Sequence, residues 1–154
     1  MMELEAGQDA PGFRAPDQTG TIRTSDEFEG SKLVIYFYPR AFTPGCTTES
    51  CDFRDSHEHL AARGYTILGV SPDKPQKLKK FKDEYELPFD LLSDPDHTIA
   101  AAYGAYGTKK NYGKEYKGII RSTFIIDEDG RVTEPFYNIR AKGHVDRLVQ
   151  SIDT

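Results

Sequence analysis

The segment KLVIYFY, Lys32 to Tyr38, constrains the fold more than any other part of the chain. Apolar and aromatic residues follow one another there without the polar alternation of a half-exposed strand. Pro39 closes the run. The segment reads as a β-strand buried on both faces, which requires a sheet covered on both sides. YTILGVS, Tyr65 to Ser71, reads as a second buried strand.

The intervening segments supply the cover. GFRAPDQTGTIRTSDEF suggests two short extended pieces around a turn at Asp17 to Gly20. From Thr47, TTESCDFRDSHEHLAARG turns polar and helical, with Phe53, Leu60 and Ala61 at helical spacing and Gly64 as the stop. PQKLKKFKDEYEL, Pro75 to Leu87, predicts an amphipathic helix that turns Leu78, Phe81, Tyr85 and Leu87 inward and its lysines outward. FDLLSD offers a short strand, and DHTIAAAYG a short helix with Asp96 as its N-cap. RSTFIID, Arg121 to Asp127, and RVTEPFYN form a hairpin across EDG, and HVDRLVQSI is a closing helix. Strands alternate with helices before a late hairpin. The order predicts a three-layer α/β sandwich, a mixed central β-sheet flanked by helices. Repeats and linkers are absent, so residues 1–154 are expected to form one domain.

Charge and hydropathy narrow the function. A net charge of −5 argues against nucleic acid or an anionic membrane as the main partner. No apolar run approaches the roughly 18 residues of a membrane span. MMELEAGQDAP lacks a basic region followed by an apolar stretch, so an export signal is not expected and a cytoplasmic location is. Structural disulfides are rare in that compartment.

The chain has two cysteines, Cys46 and Cys51, in YFYPRAFTPGCTTESCDFRD. Cys46 falls where a strand's C-terminal end meets a helix N-terminus, a usual place for chemistry in such sheets. Unpaired N–H groups and the helix dipole there favour an anion over a neutral group, and so a reactive thiolate. A fast reaction needs more: donors that stabilise charge moving in the transition state. Thr43, three residues back, has a hydroxyl that can hold a small polar substrate, although taken alone a threonine there is more readily a turn residue or partial helix cap. Arg121 opens a strand in an apolar context, where pairing with an acid is the ordinary use. Glu49, in the helix's first turn, suits the dipole and can also hold an arginine through a bidentate pair.

On an intact helix, residues five apart have Cα atoms about 8.7 Å apart. A disulfide needs about 7 Å or less. Cys46 and Cys51 therefore cannot bond while the helix stands, which argues against a constitutive staple and fits a switch that unwinds the first turns. Cys46, Cys51, His57 and His59 match no zinc spacing, so both histidines read as solvated helix residues. A C-x-x-C motif is also absent.

Taken together these residues resemble the peroxiredoxins, specifically the peroxiredoxin Q (bacterioferritin comigratory protein) branch, over nearly the whole chain. The signature Pro-x-x-x-Thr-x-x-Cys is matched by Pro39, Thr43 and Cys46. The branch's resolving cysteine falls at Cys51, and RSTFIID matches the segment carrying the family's arginine, here Arg121. GVSPD and FDLLSD also resemble the family. Arg40 departs from the lysine the branch often carries, with the charge kept. The resemblance implies a thioredoxin-like fold and a thiol peroxidase acting on hydrogen peroxide and organic hydroperoxides, without metal or other cofactor. It implies that Pro39 shields Cys46, that Thr43, the Cys46 N–H and Arg121 hold the peroxide, and that a Cys46 sulfenic acid is resolved by Cys51 as a disulfide. Thioredoxin or a similar dithiol protein would restore both thiols, and a monomer or weak homodimer is expected. Phe53 is expected to anchor the packed helix.

AYGAYGTKKNYGKEYKGIIR, rich in tyrosine and lysine, reads as a solvated loop that by resemblance lies near the pocket. Two other functions compete. A non-enzymatic redox sensor would use the same cysteine without turning over. A general disulfide oxidoreductase would need the missing C-x-x-C.

Overall fold

A computed structural model of the chain describes residues 3–154. In chain order the elements are β1 (Arg14–Pro16), β2 (Ile22–Thr24), β3 (Lys32–Phe37), α1 (Pro44–Asp55), α2 (His57–Ala62), β4 (Tyr65–Ser71), α3 (Pro75–Tyr85), β5 (Asp90–Ser93) and α4 (Thr98–Ala102), followed by β6 (Tyr106–Asn111), β7 (Lys114–Ile119), β8 (Ser122–Ile126), β9 (Val132–Phe136) and α5 (His144–Asp153).

The apolar run at residues 32–37 is the middle strand of five, in the order β5-β4-β3-β8-β9. It pairs parallel with β4 and antiparallel with β8, so the sheet is mixed as expected. Leu33, Ile35 and Phe37 face one core with Leu68, Val70, Phe124, Ile126 and residues of α4. Val34, Tyr36 and Tyr38 face the other, with Phe53, Leu60, Leu78, Phe81 and Leu148 from α1, α2, α3 and α5. Two-sided burial explains why the run does not alternate. In the Tyr36–Gly69 pair, a Cβ at position 69 would lie 2.9 Å from the Tyr36 ring and hydroxyl, so glycine gives that ring its place.

Several boundaries differ from the sequence reading. The first long helix begins at Pro44, because proline's fixed φ suits a first helical position. It breaks at Ser56, whose N–H is shared between the Asp52 and Phe53 carbonyls, and restarts as α2 before Gly64. Asp96 is exposed and does not cap α4. Asp94 does so, its carboxylate accepting from the Ile99 and Ala100 N–H groups at 3.1 and 2.9 Å. The tyrosine- and lysine-rich stretch is a β6–β7 hairpin rather than a loop. Its turn is Tyr112-Gly113, both at positive φ, as a two-residue hairpin of matching twist requires. Among the described residues, no helix is long and apolar enough to cross a membrane.

Candidate active site

The chain leaves β3 through Tyr38 and the half-buried Pro39, turns at Phe42 (φ 68°), and enters α1 with Thr43 as N-cap. Asp73, just beyond β4, pins this turn. Its Oδ2 accepts from the Ala41 N–H at 2.7 Å and from Ser71 Oγ at 2.8 Å. The C-terminal ends of the parallel pair β3 and β4 thus set where α1 begins.

Within that first turn, Thr47 N–H bonds the Thr43 carbonyl at 2.9 Å and Pro44 has no N–H. The Gly45 and Cys46 N–H groups have no intramolecular partner among the described residues. Thr43 makes no side-chain cap bond; its hydroxyl donates to the Arg40 carbonyl at 2.8 Å, leaving its oxygen free to accept.

Cys46 is fully buried, and Arg121, in the short connection between β7 and β8, reaches it across the layer. Arg121 Nη2 donates to Cys46 Sγ at 3.2 Å, and Nη1 donates to Glu49 Oε1 at 2.7 Å. The guanidinium also approaches the backbone: a Cβ at Gly45 would lie 3.2 Å from Nη2. Glu49 is fully buried in the second turn of α1, not the first, so dipole compensation does not explain it. Nor is the pair bidentate, since Glu49 Oε2 is buried without a partner. Burial pushes the Glu49 carboxyl up to about 7 against the pull of Arg121, with Asp52 adding to the rise.

Cys51 is half-buried on α1, and burial raises its pKa. Both cysteines are free thiols. Between them, Ser50 Oγ shares a 2.8 Å hydrogen bond with Tyr36 Oη. The Phe53 ring stacks on Tyr36 at 4.6 Å and meets the edge of His144 at 6.2 Å. His144 Nε2 lies 2.9 Å from Thr123 Oγ1, and its pKa falls to about 4 through burial, with Arg147 and Arg121 adding to the drop. Lys109 of β6 donates to the Ile119 carbonyl at 2.8 Å; burial lowers its pKa, as does repulsion from Arg121.

The structure thus brings Cys46, Glu49 and Arg121 into contact, with Thr43 as the N-cap of the same helix and Cys51 further along it. Of the two helix histidines, His59 is exposed as expected and bonds Asp153 at 2.9 Å, whereas His57 is half-buried rather than solvated. Among the described residues, no group of three or more His, Cys, Asp or Glu is placed to hold a metal ion. A cavity of about 750 Å³, lined by Phe13, Phe28, Leu33, Tyr103, Ile126 and neighbours, lies at the opposite end of β3 from Cys46. Sequence reasoning missed Asp73, Ser50 and Tyr36. Helical spacing could have found Ser50, four residues from Cys46 and on its face.

The chain matches the AhpC/TSA family over residues 6–134. It is 47% identical over 152 residues to peroxiredoxin Bcp of Bacillus subtilis, covering 98% of this chain and 96% of that protein. It is 42% identical over 146 residues to peroxiredoxin Bcp of Escherichia coli K12, covering 95% and 94%. Among solved structures it resembles the bacterioferritin comigratory protein of Xanthomonas campestris, studied for alkyl peroxide reduction activity. That likeness has a TM-score of 0.89 and 32% identity, covering 97% of this chain and 98% of the other. The mixed sheet flanked by helices is the thioredoxin-like fold of these neighbours.

Proposed function

The chain belongs to the AhpC/TSA family, in its peroxiredoxin Q/Bcp branch, and is a thiol peroxidase; on that premise we propose that Cys46 attacks the peroxide and Cys51 resolves the product. One observation carries the assignment. Arg121 lies 3.2 Å from a fully buried Cys46 sulfur at a helix N-terminus with two free N–H donors.

The Cys46 thiolate attacks one peroxide oxygen, forming an S–O bond as the O–O bond breaks. Thiolate, ROOH and one proton become sulfenic acid and ROH. Thr43 Oγ1, its own proton committed to the Arg40 carbonyl, accepts from the peroxide O–H. Arg121 and the Gly45 and Cys46 N–H groups stabilise the charge that develops on the departing oxygen. Pro39, at the end of β3, limits access of water to the sulfur.

Cys51 then attacks the sulfenic sulfur, releasing water and leaving a disulfide. Five-residue spacing on an intact helix forbids that bond, so α1 must open. Phe53 packing and the Tyr36–Ser50 bond resist the opening. A dithiol protein such as thioredoxin returns both thiols by exchange. Hydrogen peroxide and organic hydroperoxides are both substrates in this reading. A reducing compartment such as the cytoplasm suits two free thiols. The exposed large apolar residues are few and divided among β2 (Ile22), the turn before α1 (Phe42) and the β6–β7 hairpin (Tyr112 and Tyr116), which favours a monomer or weak homodimer.

Stopped-flow oxidation of the reduced protein, followed by addition of thioredoxin, tests the cycle. Peroxide consumption should vanish in Cys46→Ser; a wild-type rate in that variant would overturn the assignment. A sensor would oxidise once and fail to turn over.

A further inference from the structure

Arg121 is one cation facing two acids. Its Nη2 bonds Cys46 Sγ at 3.2 Å and its Nη1 bonds Glu49 Oε1 at 2.7 Å. Both acids are fully buried, and Glu49 Oε2 has no partner. With both ionised, the trio would carry a buried net charge of −1. A low-dielectric site resists that charge. With one proton between the two acids, the trio is neutral.

We propose that Cys46 and Glu49 share a single proton across Arg121, and that Glu49 supplies the proton which balances peroxide reduction. Glu49 is then the site's proton reservoir: its Oε1 stays on Arg121 and the proton on the unpartnered Oε2 passes to the departing RO⁻. In the reactive state the sulfur is the thiolate and Glu49 the carboxylic acid. When the thiolate takes an oxygen from ROOH, its charge departs with RO⁻. Arg121 is left with Glu49 as its sole anion partner, and Glu49 ionises. The balance is Cys46–S⁻ + Glu49–COOH + ROOH → Cys46–SOH + Glu49–COO⁻ + ROH. The sulfur is oxidised, the O–O bond is reduced, and no proton is drawn from bulk water.

The surroundings support this division. Burial holds the Glu49 carboxyl up to about 7, so it accepts a proton near neutrality. On its own helix, Asp52 adds to that rise. Tyr36 of β3 and Tyr38 just beyond it stay neutral because burial raises both. From β6, Lys109 is pushed down by burial and by Arg121. From α5, His144 is pushed down to about 4 and is neutral at working pH. Arg121 is therefore the cation in direct contact with both acids.

The inference takes its place in the reaction from the peroxidase reading, but its test uses no peroxide. The ultraviolet thiolate absorbance of the reduced protein is titrated in wild type and in Glu49→Gln. Glutamine keeps the shape and can still accept from Arg121 without competing for a proton. Proton sharing predicts a broadened thiolate step in wild type and a single sharper step in the variant. If Glu49 is a permanently ionised brace, the wild-type thiolate appears in one unbroadened step and only its midpoint moves in the variant; that result overturns the proposal. A second measurement needs no variant of Glu49. Infrared difference spectra on alkylation of Cys46 at about pH 6 should lose a protonated-carboxyl band and gain a carboxylate band. Unchanged carboxyl bands would overturn the proposal.

Discussion

Tyr36 Oη and Ser50 Oγ share a buried hydrogen bond of 2.8 Å that ties the central strand to the part of α1 between the two cysteines. Tyr36 keeps its place because residue 69 has no side chain. The bond exists in the packed helix and is lost when α1 opens. Tyr36→Phe removes it while leaving the ring over Gly69. Ser50 can then turn its hydroxyl to the carbonyl one helical turn back, so the net loss is about 1 kcal/mol. That corresponds to roughly a fivefold shift toward the open helix. Disulfide formation after peroxide addition, followed by rapid quenching and thiol labelling, should be about fivefold faster. Less sulfinic acid should accumulate at high peroxide, because resolution competes better with further oxidation. A disulfide rate equal to that of wild type would remove this bond from the control of α1.

Phe53 is the apolar counterpart of that latch. Its ring is fully buried, stacked on Tyr36 at 4.6 Å and set edge-on to His144 at 6.2 Å. Truncating a buried phenylalanine costs about 3–5 kcal/mol. The loss falls on the packed form of α1, while the unwound disulfide form has already given up much of the contact. Phe53→Ala should therefore lower the melting temperature of the reduced protein more than that of the disulfide form. It should also speed disulfide formation beyond the Tyr36→Phe effect. Equal losses in both redox states would show that Phe53 stays packed when the helix opens.

The middle of the sheet was legible in the sequence because β3, β4 and β8 are buried on both faces. β3 and β4 lie within one residue of the runs that announced them. The β6–β7 hairpin was not legible for the opposite reason. Lys114, Glu115, Tyr116 and Lys117 are all exposed, so no period-two hydrophobic pattern marks the strand. At the site, chemical identity was readable and depth was not. Thr43, Cys46 and Arg121 stand in a recognisable pattern. Glu49 was readable as an acid able to hold an arginine, and it does hold Arg121, but its full burial was not readable. Asp73 and Ser50 act through distant partners, Ala41 and Tyr36, that no local pattern connects to them.

His144 sets a pH limit on the packed core. Its pKa is lowered to about 4 by burial, whereas an unfolded histidine titrates near 6.5. Between those values the unfolded chain binds more protons, so stability falls as pH drops from about 6.5 toward 4. The full loss is on the order of 3 kcal/mol. Glu49 acts in the reverse sense. Its pKa is raised to about 7, so its contribution to stability is lost as pH rises from about 4.5 through 7. Urea unfolding of the reduced protein across this range should give opposite changes of slope in the two variants. His144→Asn should flatten the acid-side decline, and Glu49→Gln should steepen it. An unchanged acid limb in His144→Asn would mean that the histidine does not titrate on unfolding.

Arg121→Lys separates charge from geometry. A lysine keeps the positive charge, but its single ammonium lacks the planar fork that lets Nη1 hold Glu49 at 2.7 Å while Nη2 reaches Cys46 Sγ at 3.2 Å. A lysine that pairs with the buried Glu49 leaves the sulfur and the departing peroxide oxygen without their donor. Loss of one such donor typically costs about 100- to 1,000-fold. The second-order rate of Cys46 oxidation, measured by stopped flow in single turnover, should fall by that factor. Disulfide formation from the sulfenic acid should change far less, because the opening of α1 depends on Tyr36, Ser50 and Phe53. If lysine supported oxidation within about tenfold of wild type, the positive charge would suffice and the fork geometry would not matter.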